Sequence, residues 1–176
     1  MKYLVLFILS FTLVYNAYAG DDPQSKPVTA TNEIVFRAPF TLKLHIDKEN
    51  YYEESYDKIP YVHNGDIYLF AGESFGVNVD IKDNKIVGLK YRKDQQKSDI
   101  ALRFTQEIKE DGSQIMLLNI ENRLKQKLYI NAKMTIPGKK GIYETSILPA
   151  ESGLRGYESW PHPIVQLVLT NLRFDK

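Results

Sequence analysis

From Glu33 onward the apolar residues recur with a period of two. Phe40, Leu42, Leu44 and Ile46 alternate with Thr41, Lys43, His45 and Asp47. Successive side chains of an extended chain point to opposite faces, so this spacing predicts a half-buried strand. Phe75, Val77, Val79 and Ile81 repeat the pattern, Asp83-Asn84 supplies a turn, and Ile86 to Tyr91 returns, which predicts a hairpin. Ile67 to Phe70, Ile100 to Phe104, Ile115 to Ile120, Leu128 to Ile136, Ile142 to Leu148 and Ile164 to Phe174 complete the set. Turn chemistry separates them, notably Asp111-Gly112 and Pro137-Gly138. About nine strands at short spacing predict an all-β domain over residues 33–176, folded as one antiparallel β-sandwich.

Two segments are apolar on both faces, Ile115 to Leu118 and Ile164 to Leu169. Such strands are expected inside a sheet, flanked on both sides and covered at least in part on both faces. Ser98 to Glu110 is the best competitor for a helix, through its Glu and Lys, but Phe104, Thr105 and Ile108 favour a strand.

The first residues follow another rule. Lys2 precedes an apolar run, Leu4 to Val14, too short to span a bilayer, and Ala17-Tyr18-Ala19 is an A-x-A cleavage site. This predicts a secretory signal peptide over 1–19 and a mature protein that is periplasmic or secreted. Gly20 to Asn32, rich in Asp, Pro, Ser, Thr and Lys, reads as a flexible leader. The chain of 176 residues has no Cys, so no disulfide is expected and the core has to hold unaided. Gly20 stands where a lipoprotein would need Cys, which predicts a soluble product. Cleavage removes one Lys and no acid, leaving 22 basic residues against 22 acidic ones. A neutral chain has no broad electrostatic claim on nucleic acid or anionic membrane. No later segment approaches the roughly 18 apolar residues of a membrane helix.

Leu118-Asn119-Ile120-Glu121-Asn122-Arg123-Leu124-Lys125-Gln126-Lys127-Leu128-Tyr129-Ile130-Asn131-Ala132 resembles a pattern of bacterial exported Ig-like domains. In that pattern an apolar strand ends in Asn, a short polar turn follows, and the next strand crosses to the other sheet. The stretches Thr145 to Pro149 and Glu158 to Ile164 are similar to segments of exported bacterial proteins with no assigned function. The resemblance implies an Ig-like sandwich and no activity.

Four stretches bear on chemistry. Gly72-Glu73-Ser74-Phe75-Gly76 matches G-x-S-x-G, the nucleophile elbow of α/β-hydrolases. That elbow needs a strand-to-helix turn, whereas Val77 to Asp80 continues as a strand, so a turn or bulge flanked by glycines is expected. His45, His63 and His162 stand at no metal-ligand spacing and read as surface residues, with no metal or cofactor expected. Tyr51 to Tyr61 puts Tyr51, Tyr52, Tyr56 and Tyr61 beside Glu53, Glu54 and Asp57 in an expected loop. Its rings either seal one end of the sandwich or form a recognition surface. Tyr157, Glu158, Trp160 and His162 lie in an expected stiff loop leading into the last strand, its backbone fixed by Pro161 and Pro163. There Trp160 is either a core plug or the centre of a contact. Lys and Arg in the turns, such as Lys93, Lys97, Lys125 and Lys139, suit exposed hairpins and edges and call for no nucleic-acid role.

These features predict a non-enzymatic exported binding or accessory protein whose partner is another protein or an envelope component. An inhibitor or immunity protein fits that class. A cell-envelope hydrolase of glycan or ester bonds is the alternative from enzymology, and a structural module of an envelope assembly is a third. The oligomeric state is open at this level.

Overall fold

The structure, a computed structural model, describes residues 34–175. The expected signal peptide and leader lie outside the described residues. The alternation becomes twelve strands: β1 (Phe40–His45), β2 (Tyr51–Tyr56), β3 (Val62–His63), β4 (Asp66–Leu69), β5 (Glu73–Lys82), β6 (Lys85–Arg92), β7 (Ile100–Ile108), β8 (Gln114–Asn122), β9 (Leu128–Thr135), β10 (Tyr143–Ser146), β11 (Arg155–Trp160) and β12 (Gln166–Phe174). Ten of them form two antiparallel five-stranded sheets, one in the order β11-β8-β7-β5-β6 (sheet A) and one in the order β10-β9-β12-β4-β3 (sheet B). β1 and β2 pair with each other as a separate antiparallel ribbon. The β-sandwich expected from the sequence is therefore present.

Twelve strands instead of about nine has a simple cause. β2 and β11 carry polar or aromatic residues on both faces, and β3 is two residues long, so none shows a clean alternation. The two segments read as central are central: β8 lies between β11 and β7, and β12 between β9 and β4. Ser98 to Glu110 contains β7 and no helix; a single 3₁₀ turn, Gln95–Lys97, precedes it. Asp83 and Asn84 both adopt positive φ, the type I′ geometry that matches strand twist in the β5–β6 hairpin. Asp111-Gly112 is no two-residue turn. It belongs to a wider loop closed by Lys109 N donating to Ser113 O (2.8 Å), with Gly112 alone at positive φ.

The core lies between the sheets. Phe75, Val77, Ile100, Leu102, Phe104, Met116, Leu118 and Ile120 of sheet A meet Ile67, Leu69, Leu128, Ile130, Leu167 and Leu169 of sheet B. The chain passes between sheets at several points, and buried polar side chains hold these crossings. At β8 to β9, Asn122 is fully buried; its Nδ2 donates to Gln126 O (2.8 Å) and Ala150 O (2.9 Å), and its Oδ1 accepts from Leu124 N (3.0 Å). The Asn122 amide replaces the strand ladder just where the ladder stops.

At β4 to β5 the crossing is held by an ion pair. Arg37, 5% exposed, has five side-chain N–H groups and five acceptors. Nε and Nη2 grip both oxygens of Glu73, Nη2 also donates to Tyr68 O (2.6 Å), and Nη1 to Pro60 O (2.6 Å) and Ile59 O (3.4 Å). Glu73 Oε2 accepts Phe70 N as well (2.8 Å). The Tyr61 ring lies 4.1 Å from the guanidinium carbon and the Phe70 ring 5.1 Å.

Glu73 is the second residue of the G-x-S-x-G match, and its neighbours have structural explanations too. Gly72 (φ +90°) makes the turn out of sheet B, while Gly76 lies within β5, where a Cβ would overlap the Ser98 side chain. The expectation of two turn glycines is thus corrected: the first turns the chain and the second admits Ser98. Ser74 is exposed, and its Oγ accepts from Gln95 Nε2 (2.7 Å).

Removing one member of a buried pair leaves the other charge desolvated. Arg37→Met or Glu73→Leu alone should lose about 3–5 kcal/mol in urea unfolding, and the double variant should recover most of it. Ser74→Ala should cost at most about 1 kcal/mol.

Candidate functional site

β1 and β2 are joined by an Asx turn. Asp47 Oδ1 accepts Glu49 N and Asn50 N, both at 2.9 Å, and the Asn50 side chain adds two further bonds to the carboxylate. These donors hold the Asp47 carboxyl below the usual aspartate range. No ladder joins the ribbon to sheet A. Gln106 of β7 substitutes for one: its Oε1 accepts His45 N and its Nε2 donates to His45 O, both at 2.8 Å. Gln114 Nε2 adds a bond to Ile46 O (3.0 Å) and packs beside Gln106.

The register of the ribbon sets Tyr52 opposite Leu44, Glu54 opposite Leu42 and Tyr56 opposite Phe40. Leu42 and Leu44 are buried with Phe70 and Val165 in a second, small core, against which Tyr52 and Tyr56 pack. Tyr56 stacks on Phe40 (5.4 Å between ring centres) and tilts against Phe70 (5.0 Å). The Tyr52 and Tyr56 hydroxyls both donate to Glu54 Oε2, the latter at 2.8 Å. Burial first, then the Glu54 carboxylate, pushes the Tyr56 hydroxyl well above the usual tyrosine range, so it remains a donor throughout the physiological range.

Tyr52, Glu54 and Tyr56 thus form one locked row. They make a wall of an open cleft of about 590 Å³, whose other side is the Pro137 to Gly141 turn with Lys139 and Lys140, and which Val165 and Gln166 also line.

The sequence-level candidates divide into four groups. Tyr51, Tyr52 and Tyr56 sit on β2, a strand and not the expected loop; its faces are both partly solvated, which hid its period. Tyr51 is on the face away from the small core, near His45 (4.4 Å between rings) and Lys43, whose Nζ is 4.4 Å from its ring. Tyr61 is part of the Arg37 enclosure, stacked on Tyr91 (4.1 Å) and edge-on to Phe75 (5.0 Å). Tyr157, Glu158 and Trp160 lie in β11, again a strand where a loop was expected.

Trp160 takes the core-plug role: it is 7% exposed, lies edge-on to Phe104 (6.4 Å) and donates from Nε1 to Thr145 Oγ1 of β10 (2.9 Å). Glu158 accepts Leu148 N (2.7 Å), while Tyr157 points to solvent, 68% exposed. His162 is half-buried, with Nδ1 3.3 Å from Pro163 O. Sequence reasoning missed Arg37, Glu54, Gln106 and Lys140 as determinants. The alternation of Tyr52, Glu54 and Tyr56 was the one signal for Glu54.

A second groove of about 600 Å³ runs between the β3–β4 hairpin and β6, lined by Val62, His63, Asp66, Leu89, Tyr91 and Leu172, among others. Burial raises the Asp66 carboxyl, against the pull of Lys133 and His63; burial and then the Asp66 charge raise the Tyr68 hydroxyl. Among the described residues, no group of three or more His, Cys, Asp or Glu side chains is placed to hold a metal ion. No described helix is long and apolar enough to cross a membrane. No family model, no curated protein and no solved structure matches this chain.

Three measurements follow from these placements. Trp160→Ala should lose roughly 3–5 kcal/mol in thermal unfolding. Tyr51→Ala, on a solvated face, should stay within about 1 kcal/mol of the native protein. Asp66 has a folded pKa above its unfolded value, so its charged form opposes folding at neutral pH. Asp66→Asn should therefore raise the melting temperature at neutral pH, with a gain that shrinks as pH falls through the raised pKa and vanishes below the unfolded one.

Proposed function

We propose that this is a non-enzymatic, exported binding protein that recognises another protein or an envelope component through the cleft beside β2. The observation that carries the reading is the locked Tyr52–Glu54–Tyr56 row facing Lys139 and Lys140. Tyrosines whose hydroxyls and rings are already fixed offer area at little further cost in entropy. Opposite charges on the two sides favour a partner that carries both signs, as peptide segments and amino-sugar acids do. Export rests on the signal-type residues 1–19. An inhibitor or immunity protein against a secreted toxin or hydrolase is one member of this class. The Ig-like likeness belongs to the same proposal and is supported by the Asn122 crossing.

The test is capture from cross-linked envelope extract. The native protein and Ser74→Ala should retain the same partner, while Tyr52→Ala and Glu54→Arg lose it with melting curves that still report a folded protein. Equal capture by all four would refute the cleft. Protein recovered from the envelope fraction should begin at Gly20; intact Met1 in the cytoplasmic fraction would refute export.

A further inference from the structure

The sandwich has four strand edges, and they are not treated alike. β3 offers two residues. β10 offers four and follows Lys139 and Lys140. β6 carries Lys85, Lys90 and Arg92 without an acid, and it is itself bulged at Val87, opposite the step from Asp80 to Ile81 of β5. Short length, lysines and bulges all discourage edge-to-edge pairing. β11 has none of these. It is six residues long, in unbroken register with β8 from Arg155↔Glu121 to Trp160↔Met116. Its Arg155 is bound to Glu121 Oε2 (2.8 Å) and its Glu158 to Leu148 N, so neither charge is directed along the free edge. Beside it Leu148 (75% exposed), Leu154 (59%) and Tyr157 (68%) surround a shallow hollow of about 150 Å³. Among the described residues, no backbone bond leaves β11 on the side away from β8.

We propose that β11 pairs with β11 of a second copy of this chain, antiparallel about a two-fold axis through Tyr157, joining the two A sheets. A perpendicular two-fold keeps each face on its own side, so only registers that pair residues of equal parity are allowed. Charge complementarity selects among them. Centred on Glu158, the pairing would set two carboxylates directly opposite each other. Centred on Gly156, it would overlap only Arg155 to Tyr157. Centred on Tyr157, it brings no like charges opposite each other: Arg155 stands opposite the partner's Ser159, and the two Tyr157 rings meet at the axis. In the same register Glu158 lies opposite the partner's Gly156, where the nearest atom to a built Cβ is Ile120 O at 3.9 Å. Leu148 and Leu154 add apolar area beside the strand pair. These surfaces are formed by residues other than those of the β2 cleft, so the two proposals stand or fall separately.

Analytical ultracentrifugation over a concentration series tests it. The native protein should pass from one copy to two. Tyr157→Lys and Tyr157→Glu, each placing like charges at the axis, should each weaken self-association at least about tenfold. An equimolar mixture of the two variants should recover the dimer, because opposite charges then meet at the axis. Circular dichroism should show both variants folded, since Tyr157 is exposed. A native protein that is monomeric at every concentration overturns the proposal. So does a dimer that neither substitution weakens, or two monomeric variants whose mixture stays monomeric.

Discussion

The Arg37–Glu73 pair is the constraint on which the rest of the sandwich is hung. Arg37 comes from the segment before β1, Glu73 opens β5 in sheet A, and the guanidinium also takes the carbonyl of Tyr68 in β4 of sheet B. One planar group therefore fixes three pieces of chain at the point where they cross between sheets. Removing two ions from water costs several kcal/mol each, and the attraction between them offsets that only with good geometry and full satisfaction. Here all five N–H groups are used and two aromatic rings cover the guanidinium. Such a pair adds little net stability compared with a well-packed apolar pair. Its effect is on choice: alternative packings of the same strands leave a buried cation without acceptors.

The other crossings use the same logic with neutral groups. Asn122 supplies two donors and an acceptor where β8 leaves sheet A, and Trp160 bonds Thr145 across from β11 to β10. Apolar contact alone is tolerant of slippage, because neighbouring residues of a strand are similar in size and chemistry. A buried amide or indole N–H is not tolerant, since its unpaired state costs about 1–3 kcal/mol. Among the described residues, no buried side-chain nitrogen or oxygen lacks a partner. The sandwich is filled by the alternating residues and located by a few polar ones.

That division explains what could be read in the sequence. Alternation reports burial on one face, so β1, β5, β7, β8, β9 and β12 were legible from Leu, Ile, Val and Phe spacing. β2 was not, since Glu54 lies on the same face as Tyr52 and Tyr56 and breaks the apolar period. Arg37 was illegible for another reason. Its partners are Glu73, Tyr68, Ile59 and Pro60, and three of these contribute only a backbone carbonyl, which leaves no mark in the sequence. Glu73 was visible but concealed within a five-residue coincidence that drew the eye to Ser74. For the aromatic residues the types were right and the roles were mixed. Trp160 and Tyr61 entered the packing, whereas Tyr51 and Tyr157 stayed in solvent.

The ribbon of β1 and β2 shows how an exposed aromatic row can be kept apart from the fold that carries it. It shares no strand ladder with either sheet; Gln106 and Gln114 hold its backbone by side-chain amides, and Leu42 and Leu44 anchor it in a core of its own. Changes on its exposed positions therefore reach the main core through those amides, the small cluster around Phe70, and Ala71, which packs against both cores. Phe70 is shared: it lies under Tyr56 on one side and against Arg37 on the other. The cleft is thereby tied to the residue that fixes the sheet crossing, through the Phe70 ring. Tyr56 is backed, through Phe70, by a guanidinium held by a full set of acceptors. The row can thus remain exposed, polar and aromatic without being loose.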